Sequence, residues 1–213
     1  MTNYIVSMAA AVALLTGACH AADTPATPQP AAKPAAAAPA ATTTPAAAVQ
    51  RWVQAPGSSL TFTFDQEGAA SKGSFRQFST ELTYDDKSPA AGSLNVKIQI
   101  ASIDTQDQER NDMLASADLF DTAKFPTAQY SSSSFARTAA GGLEAVGKLT
   151  LRGVTHDLRL PLKIVPTAAG LELSGATAIR RLDYGVGQGD WKSTEGVADE
   201  VKIQYKVALV KAK

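Results

Sequence analysis

Apolar and polar residues alternate strictly and repeatedly between residues 58 and 211, and this period of two narrows the fold more than any other feature. In SLNVKIQIASIDT (93–105), Leu94, Val96, Ile98 and Ile100 share one face while Asn95, Lys97 and Gln99 share the other. In DEVKIQYKVALVK (199–211), Val201, Ile203, Tyr205, Val207 and Leu209 oppose Lys202, Gln204 and Lys206. Successive side chains of a strand point to opposite faces, so the pattern predicts strands with one buried face. The same reading applies to SSLTFTF (58–64), to GSFRQFSTELTYD (73–85) as a longer, bent strand, and to residues 127–138, 142–153, 155–165 and 170–185. Only DTQDQERNDMLASADLF (104–120) reads as helix, with Thr105 and Gln108 as a capping box and Met113, Leu114 and Ala117 on one face. Eight strands separated by short Gly, Asn, Asp or Pro turns predict an antiparallel barrel or sandwich.

The N-terminal residues carry none of this pattern. Met1–Leu15 is an apolar run too short to span a bilayer, followed by the small residues TGACHAAD, so residues 1–21 read as a secretory signal peptide and the protein as periplasmic. Cys19 is the single cysteine of the chain, and two fates are open to it: removal by cleavage after Ala21, or lipidation at LTGAC. Residues 22–50 hold six of the eleven prolines and almost no bulky apolar residue, the composition of a disordered Ala/Pro/Thr-rich linker. Residues 51–213 remain for one domain, without a cysteine to cross-link it.

Lys and Arg together balance Asp and Glu at 20 each, interspersed without a basic stripe, which argues against nucleic acid as a partner. The domain holds one histidine, His156, in the turn-like GVTHD, where a solvent-facing hairpin corner is the expected place for it. No His, Asp or Glu cluster has metal-ligand spacing, and Asp199 and Glu200, adjacent on a strand, point to opposite faces. GVGQGD (185–190) lacks the Lys-Ser/Thr of a phosphate loop and reads as a tight loop path. The residues thus point to no catalytic constellation. Aromatic residues spread through the domain fill a core or line a hollow, and composition does not separate the two.

Four segments in order, SIDTQDQERNDML (102–114), LFDTAKFPTAQY (119–130), GKLTLRGVTHDLRLPL (147–162) and IRRLDYGVGQGDW (179–191), resemble the signature of the YceI family of lipocalin-like, polyisoprenoid-binding proteins. The resemblance covers residues 52–211. It departs from the family in FTFDQEG (62–68), where many members carry a histidine, and in Leu119-Phe120, where two phenylalanines are commoner.

The resemblance implies an all-β fold: an eight-stranded antiparallel lipocalin-like β-barrel with a short helical insertion. It implies a non-enzymatic, exported carrier or storage protein whose apolar interior holds an isoprenoid lipid, either a polyprenyl lipid or a ubiquinone-type quinone, with no other cofactor and no metal. A membrane cytochrome b561-type protein is the partner it suggests, and homodimerisation the assembly. Alternation combined with the resemblance puts Phe62, Phe64, Ile98, Ile100, Leu149, Leu151, Leu160, Tyr184, Ile203 and Tyr205 on the cavity wall. Arg152, Arg180, Arg181 and Asp183 are the candidate head-group contacts. The competing reading is a secreted, stress-related barrel with a filled core that acts through protein partners.

Overall fold

The computed structural model describes residues 50–213. The expected signal peptide, Cys19 and the linker up to residue 49 lie outside the described residues. The strands are β1 (Gln50–Gln54), β2 (Ser59–Gln66), β3 (Ala69–Phe75), β4 (Phe78–Tyr84), β5 (Ser93–Gln99), β6 (Ile103–Asp104), β7 (Thr127–Arg137), β8 (Leu143–Leu151), β9 (Val154–Thr167), β10 (Gly170–Arg180) and β11 (Val197–Lys211), with one α-helix, α1 (Gln108–Ala115).

These pieces make eight long strands. β1 and β2 follow one another along β11, β1 against Leu209–Lys211 and β2 against Val197–Lys206. On their other side β1 pairs with β4 and β2 with β3, so β3 and β4 are one strand broken at Arg76–Gln77. β5 and β6 are likewise one strand, broken by a 3-10 turn at Ile100–Ser102. The two breaks lie side by side: Ser102 accepts from Arg76 N through its carbonyl and from Gln77 N through its hydroxyl, both at 3.0 Å. From β5 the meander continues through β7, β8, β9 and β10 to β11, and the β1–β11 pairing closes an antiparallel barrel. The bend expected within residues 73–85 is the Arg76–Gln77 break, whereas β1 was not legible as a strand.

Alternation places the inner face correctly along most of the ring, and one irregularity corrects its phase. In β7, Ala128, Tyr130 and Ser132 are buried, and a bulge between Ser132 and Ser134 then brings Phe135 inside instead of Ser134. Ser132 Oγ donates to the Ser134 carbonyl at 2.8 Å and holds the bulge. At one end of the barrel Leu82, Leu94, Ala145, Leu173 and Leu209 are at most 2% exposed and form a solid plug.

The helix is shorter than expected and differently capped. Gln106 adopts a left-handed φ of 62°, which delays the first turn, and the Asp107 carboxylate accepts from Arg110 N at 3.1 Å as the N-cap. Thr105 instead donates its hydroxyl to Asn111 Oδ1 at 2.8 Å. Strand β10 likewise ends at Arg180, and residues 181–184 turn as a 3-10 helix, so Asp183 and Tyr184 do not continue a strand face.

Two features beyond apolar packing hold the barrel together. The Arg181 guanidinium is buried and donates to five carbonyls, those of Val186, Trp191, Ser193, Val197 and Ala198, at 2.7–3.1 Å. It thereby gathers the whole 186–198 segment onto the barrel end. Gly187 makes room for it, because a Cβ there would lie 2.1 Å from Nη1. The second feature is a pair of inward tyrosines. Tyr130 Oη donates toward the Ala145 carbonyl at 3.0 Å, with the Leu158 carbonyl at 3.2 Å, and Tyr205 Oη donates to the Pro161 carbonyl. Burial pushes both phenols up, Tyr130 to about 12.

Arg181→Met strands five carbonyls and is expected to lower the unfolding free energy by about 3 kcal/mol in urea titrations. Arg180→Ala, which removes only an exposed pair with Asp199 at 2.8 Å, is expected to change it by less than about 1 kcal/mol. Equal effects would refute the anchoring role of Arg181. The raised phenols make a second prediction. Their neutral forms are favoured in the fold, so their contribution is complete below pH 10 and is lost as pH rises above it, for Tyr130 between 10 and about 12. Unfolding midpoints measured from pH 9 to 12 should fall, and Tyr130→Phe should flatten that decline.

Candidate ligand-binding site

The inner faces of β2, β5, β8 and β11 do not meet at the centre of the barrel below the leucine plug. They leave two chambers. The deep chamber, about 80 Å³, is walled by Leu60, Phe78, Leu94, Tyr130, Leu158, Leu160, Leu173 and Tyr205 among others. The outer chamber, about 150 Å³, lies between the barrel wall, α1 and the segment held by Arg181. Ile98, Leu149 and Ile203 line both, so the chambers meet at these three side chains.

Nine of the ten residues expected on the wall are there. Phe62, Phe64, Ile100 and Leu151 line the outer chamber, Leu160 and Tyr205 the deep one, and Ile98, Leu149 and Ile203 their junction. Tyr184 is not among them. Because the chain turns at Arg181, its ring, buried in the core cluster, packs edge-on to His156 with ring centroids 5.1 Å apart and lines neither chamber. His156 is itself exposed but is not the hairpin corner. That corner is Arg152–Gly153, both at positive φ, and His156 lies within β9 with Nε2 at 3.0 Å from the Asp183 carbonyl.

The four residues expected near a head group are placed otherwise by the geometry. Arg152 donates to the carbonyls of Gly185 and Ala117 and ties the hairpin to the neighbouring loops. Arg180 pairs with Asp199 on the outer surface, where Asp183 also lies. Arg181 does border the outer chamber, but its five N–H groups are all engaged by carbonyls and none is left for a ligand.

The polar groups that do reach the outer chamber are Gln66 and Arg110. Arg110 Nη2 stands 3.8 Å from Asp107 Oδ2, a loose contact that leaves donors free, and the side chain is one-third exposed. Arg110, Met113 and Leu114 follow an i, i+3, i+4 spacing on α1 and together form one side of the mouth. That spacing was readable in the sequence and would have pointed to Arg110. Trp191 and Phe75 complete the rim: Trp191 lies outside every alternating stretch, and Phe75 ends β3 at the Arg76–Gln77 break, across which the phase of residues 73–85 does not carry.

The chemistry of the site follows from its wall. The interior offers apolar surface, the tyrosine hydroxyls are committed to backbone carbonyls, and charge is present only at the mouth. Among the described residues no three His, Cys, Asp or Glu side chains gather to hold a metal ion. Such a cavity suits an elongated apolar chain with a polar end at Arg110 and Gln66.

Comparison with known proteins agrees with the fold. A family model described as a YceI-like domain matches residues 52–209. Protein YceI of Escherichia coli O17:K52:H18 is 41% identical over 93 residues, 44% of this chain and 48% of that protein, so the chain spans about half the length of the curated relatives it matches. Among solved structures, Burkholderia cenocepacia BcnA superposes with a TM-score of 0.68 at 32% identity, covering 70% of this chain and 94% of that one. The Campylobacter jejuni YCEI protein superposes at 0.60 with 25% identity, covering 68% and 86%. A polyisoprenoid binding domain from Saccharophagus degradans shares the fold at 0.63 with 17% identity, covering 77% and 99%. A closed eight-stranded barrel with a single short helix and a family match across nearly all of its strands lead to one conclusion: this chain belongs to the YceI-like family.

Proposed function

We propose that the protein is an exported carrier or storage protein for an isoprenoid lipid, a polyprenyl lipid or a ubiquinone-type quinone, held in the barrel interior. The observation that carries this reading is the pair of adjoining apolar chambers, which share Ile98, Leu149 and Ile203 as lining and meet charged side chains only at the outer end. A filled core would have left no such space. A chain inserted there gains ~0.8 kcal/mol for each methylene it buries, which supplies affinity without any internal polar contact. The head group then rests at the mouth against Arg110 and Gln66. The Saccharophagus domain named for polyisoprenoid binding has the same fold, which makes that lipid class the first to test. A membrane cytochrome b561-type protein remains our proposed exchange partner for a quinone ligand.

The test is extraction of the protein from its native host with organic solvent, followed by mass spectrometry. A near-stoichiometric isoprenoid supports the carrier, and repeated emptiness removes it. Ile98→Glu places a charge at the chamber junction and should abolish that lipid content in a variant whose far-ultraviolet dichroism is unchanged. Arg110→Gln separates head from tail. It should weaken binding of a prenyl phosphate roughly tenfold, the loss of about one charge-assisted hydrogen bond, and leave a prenyl hydrocarbon unaffected.

A further inference from the structure

The barrel wall is not hydrogen-bonded all the way around. β9 and β10 form a hairpin, yet their ladder comprises only five pairs, Lys163–Thr167 with Gly170–Ser174. Past Ser174 each strand keeps its other neighbour, β9 with β8 to the pair Leu151–Val154 and β10 with β11 to the pair Arg180–Glu200. Between Val154–Leu162 of β9 and Gly175–Arg180 of β10 no ladder joins the two. Pro161, without an N–H, sits at this margin, where a proline is tolerated because nothing is asked of its nitrogen.

An external cleft of about 370 Å³ follows the split, with Leu158 of β9 and Ile179 of β10 at its floor. Leu158 also lines the deep chamber and Ile179 also lines the outer chamber. Carrying the hairpin register onward places these two residues opposite one another. Leu158 and Ile179 therefore stand between the cleft and the cavity, at a level where no ladder joins their strands.

The ends of the split are held by side chains. At the inner end Tyr205 Oη donates to the Pro161 carbonyl, with Gly175 leaving space for the ring. At the outer end His156 Nε2 meets the Asp183 carbonyl at 3.0 Å and its ring packs edge-on against Tyr184. Opening the wall between two fully paired strands would break a run of ladder hydrogen bonds. Opening it at the outer end breaks the His156 contacts with Asp183 and Tyr184 and moves two aliphatic side chains, without breaking a ladder.

We infer that the split between β9 and β10 is a side portal through which an isoprenoid chain passes between the cavity and the surface. The inference rests on the interior-binding reading above and adds the route. The polar rim of His156, Asp157, Arg180, Asp183 and Glu200 keeps the closed portal wetted and offers both charges to a passing head group. The plug of leucines closes the far end of the barrel, so among the described residues the portal and the mouth beside α1 are the two ways in.

The test measures exchange rates apart from affinity. Ubiquinone-2 serves as the probe, and its quenching of tryptophan fluorescence, with Trp191 on the outer chamber, is followed by stopped flow in the full chain carrying Cys19→Ser. Arg159→Cys with Ala178→Cys, two outward positions opposite one another in the extended register, allows a short bismaleimide to clamp the strands. Clamping should slow association and dissociation together by at least about tenfold while Kd stays within about threefold. His156→Ala, outside the cavity, should accelerate both by about threefold or more with the same Kd. Binding with rates unchanged by clamp and variant overturns the portal and leaves interior binding standing. No quenching in the unmodified chain overturns both.

Discussion

The pairing of the last strand with the first is the interaction on which the rest depends. β11 bonds to β10 along one side and, along the other, to β1 at its C-terminal end and β2 over the remainder. Residues some 150 positions apart in sequence thus meet, as when Ser58 Oγ accepts from Ala208 N at 3.1 Å. Without this closure β11 and the strand made of β1 and β2 would be open edges with unpaired backbone groups, and the inner face would be one side of an exposed sheet. Closure turns an alternating stripe into an enclosed volume, and every property of the site follows from that change.

Whether the volume is solid or hollow is decided by which side chains meet across it. At the plug, leucines from β4, β5, β10 and β11 interdigitate fully. Lower down, the aromatic rings lie along the wall: Phe62 reaches over Gly73, where a Cβ would sit 2.3 Å from its ring, and Tyr130 and Tyr205 extend toward Gly147 and Gly175. Glycine opposite an aromatic ring lets the ring flatten against the neighbouring strand instead of filling the centre. The tyrosine hydroxyls find carbonyls to bond, so they add no polarity to the chambers.

The open end owes its form to arginines with opposite duties. Arg181, buried and saturated by carbonyls, is a structural clamp that folds the 186–198 segment over the barrel. Arg110, loosely paired and partly exposed, is available at the mouth. The two residues look equivalent as charges in the sequence. What separates them is the number of acceptors each meets, which depends on chain segments distant from both.

The sequence by itself determined most of the strands and which residues share a face, because a period of two needs only local order to be read, and four motif segments determined the family. Phe62, Ile98, Leu149 and Ile203 were assigned to the interior on that basis, and the structure puts them there. The tertiary structure alone decided where the alternation stops. The 3-10 turn at Arg181 took Tyr184 off the chamber wall, the Ser132 bulge set the phase of Phe135, and the five-pair hairpin left β9 and β10 apart beyond Ser174. Each of these is set by backbone pairing or side-chain hydrogen bonds that the alternation does not encode. Alternation records which way a side chain faces relative to its neighbours, and it carries no information about what the opposite wall provides.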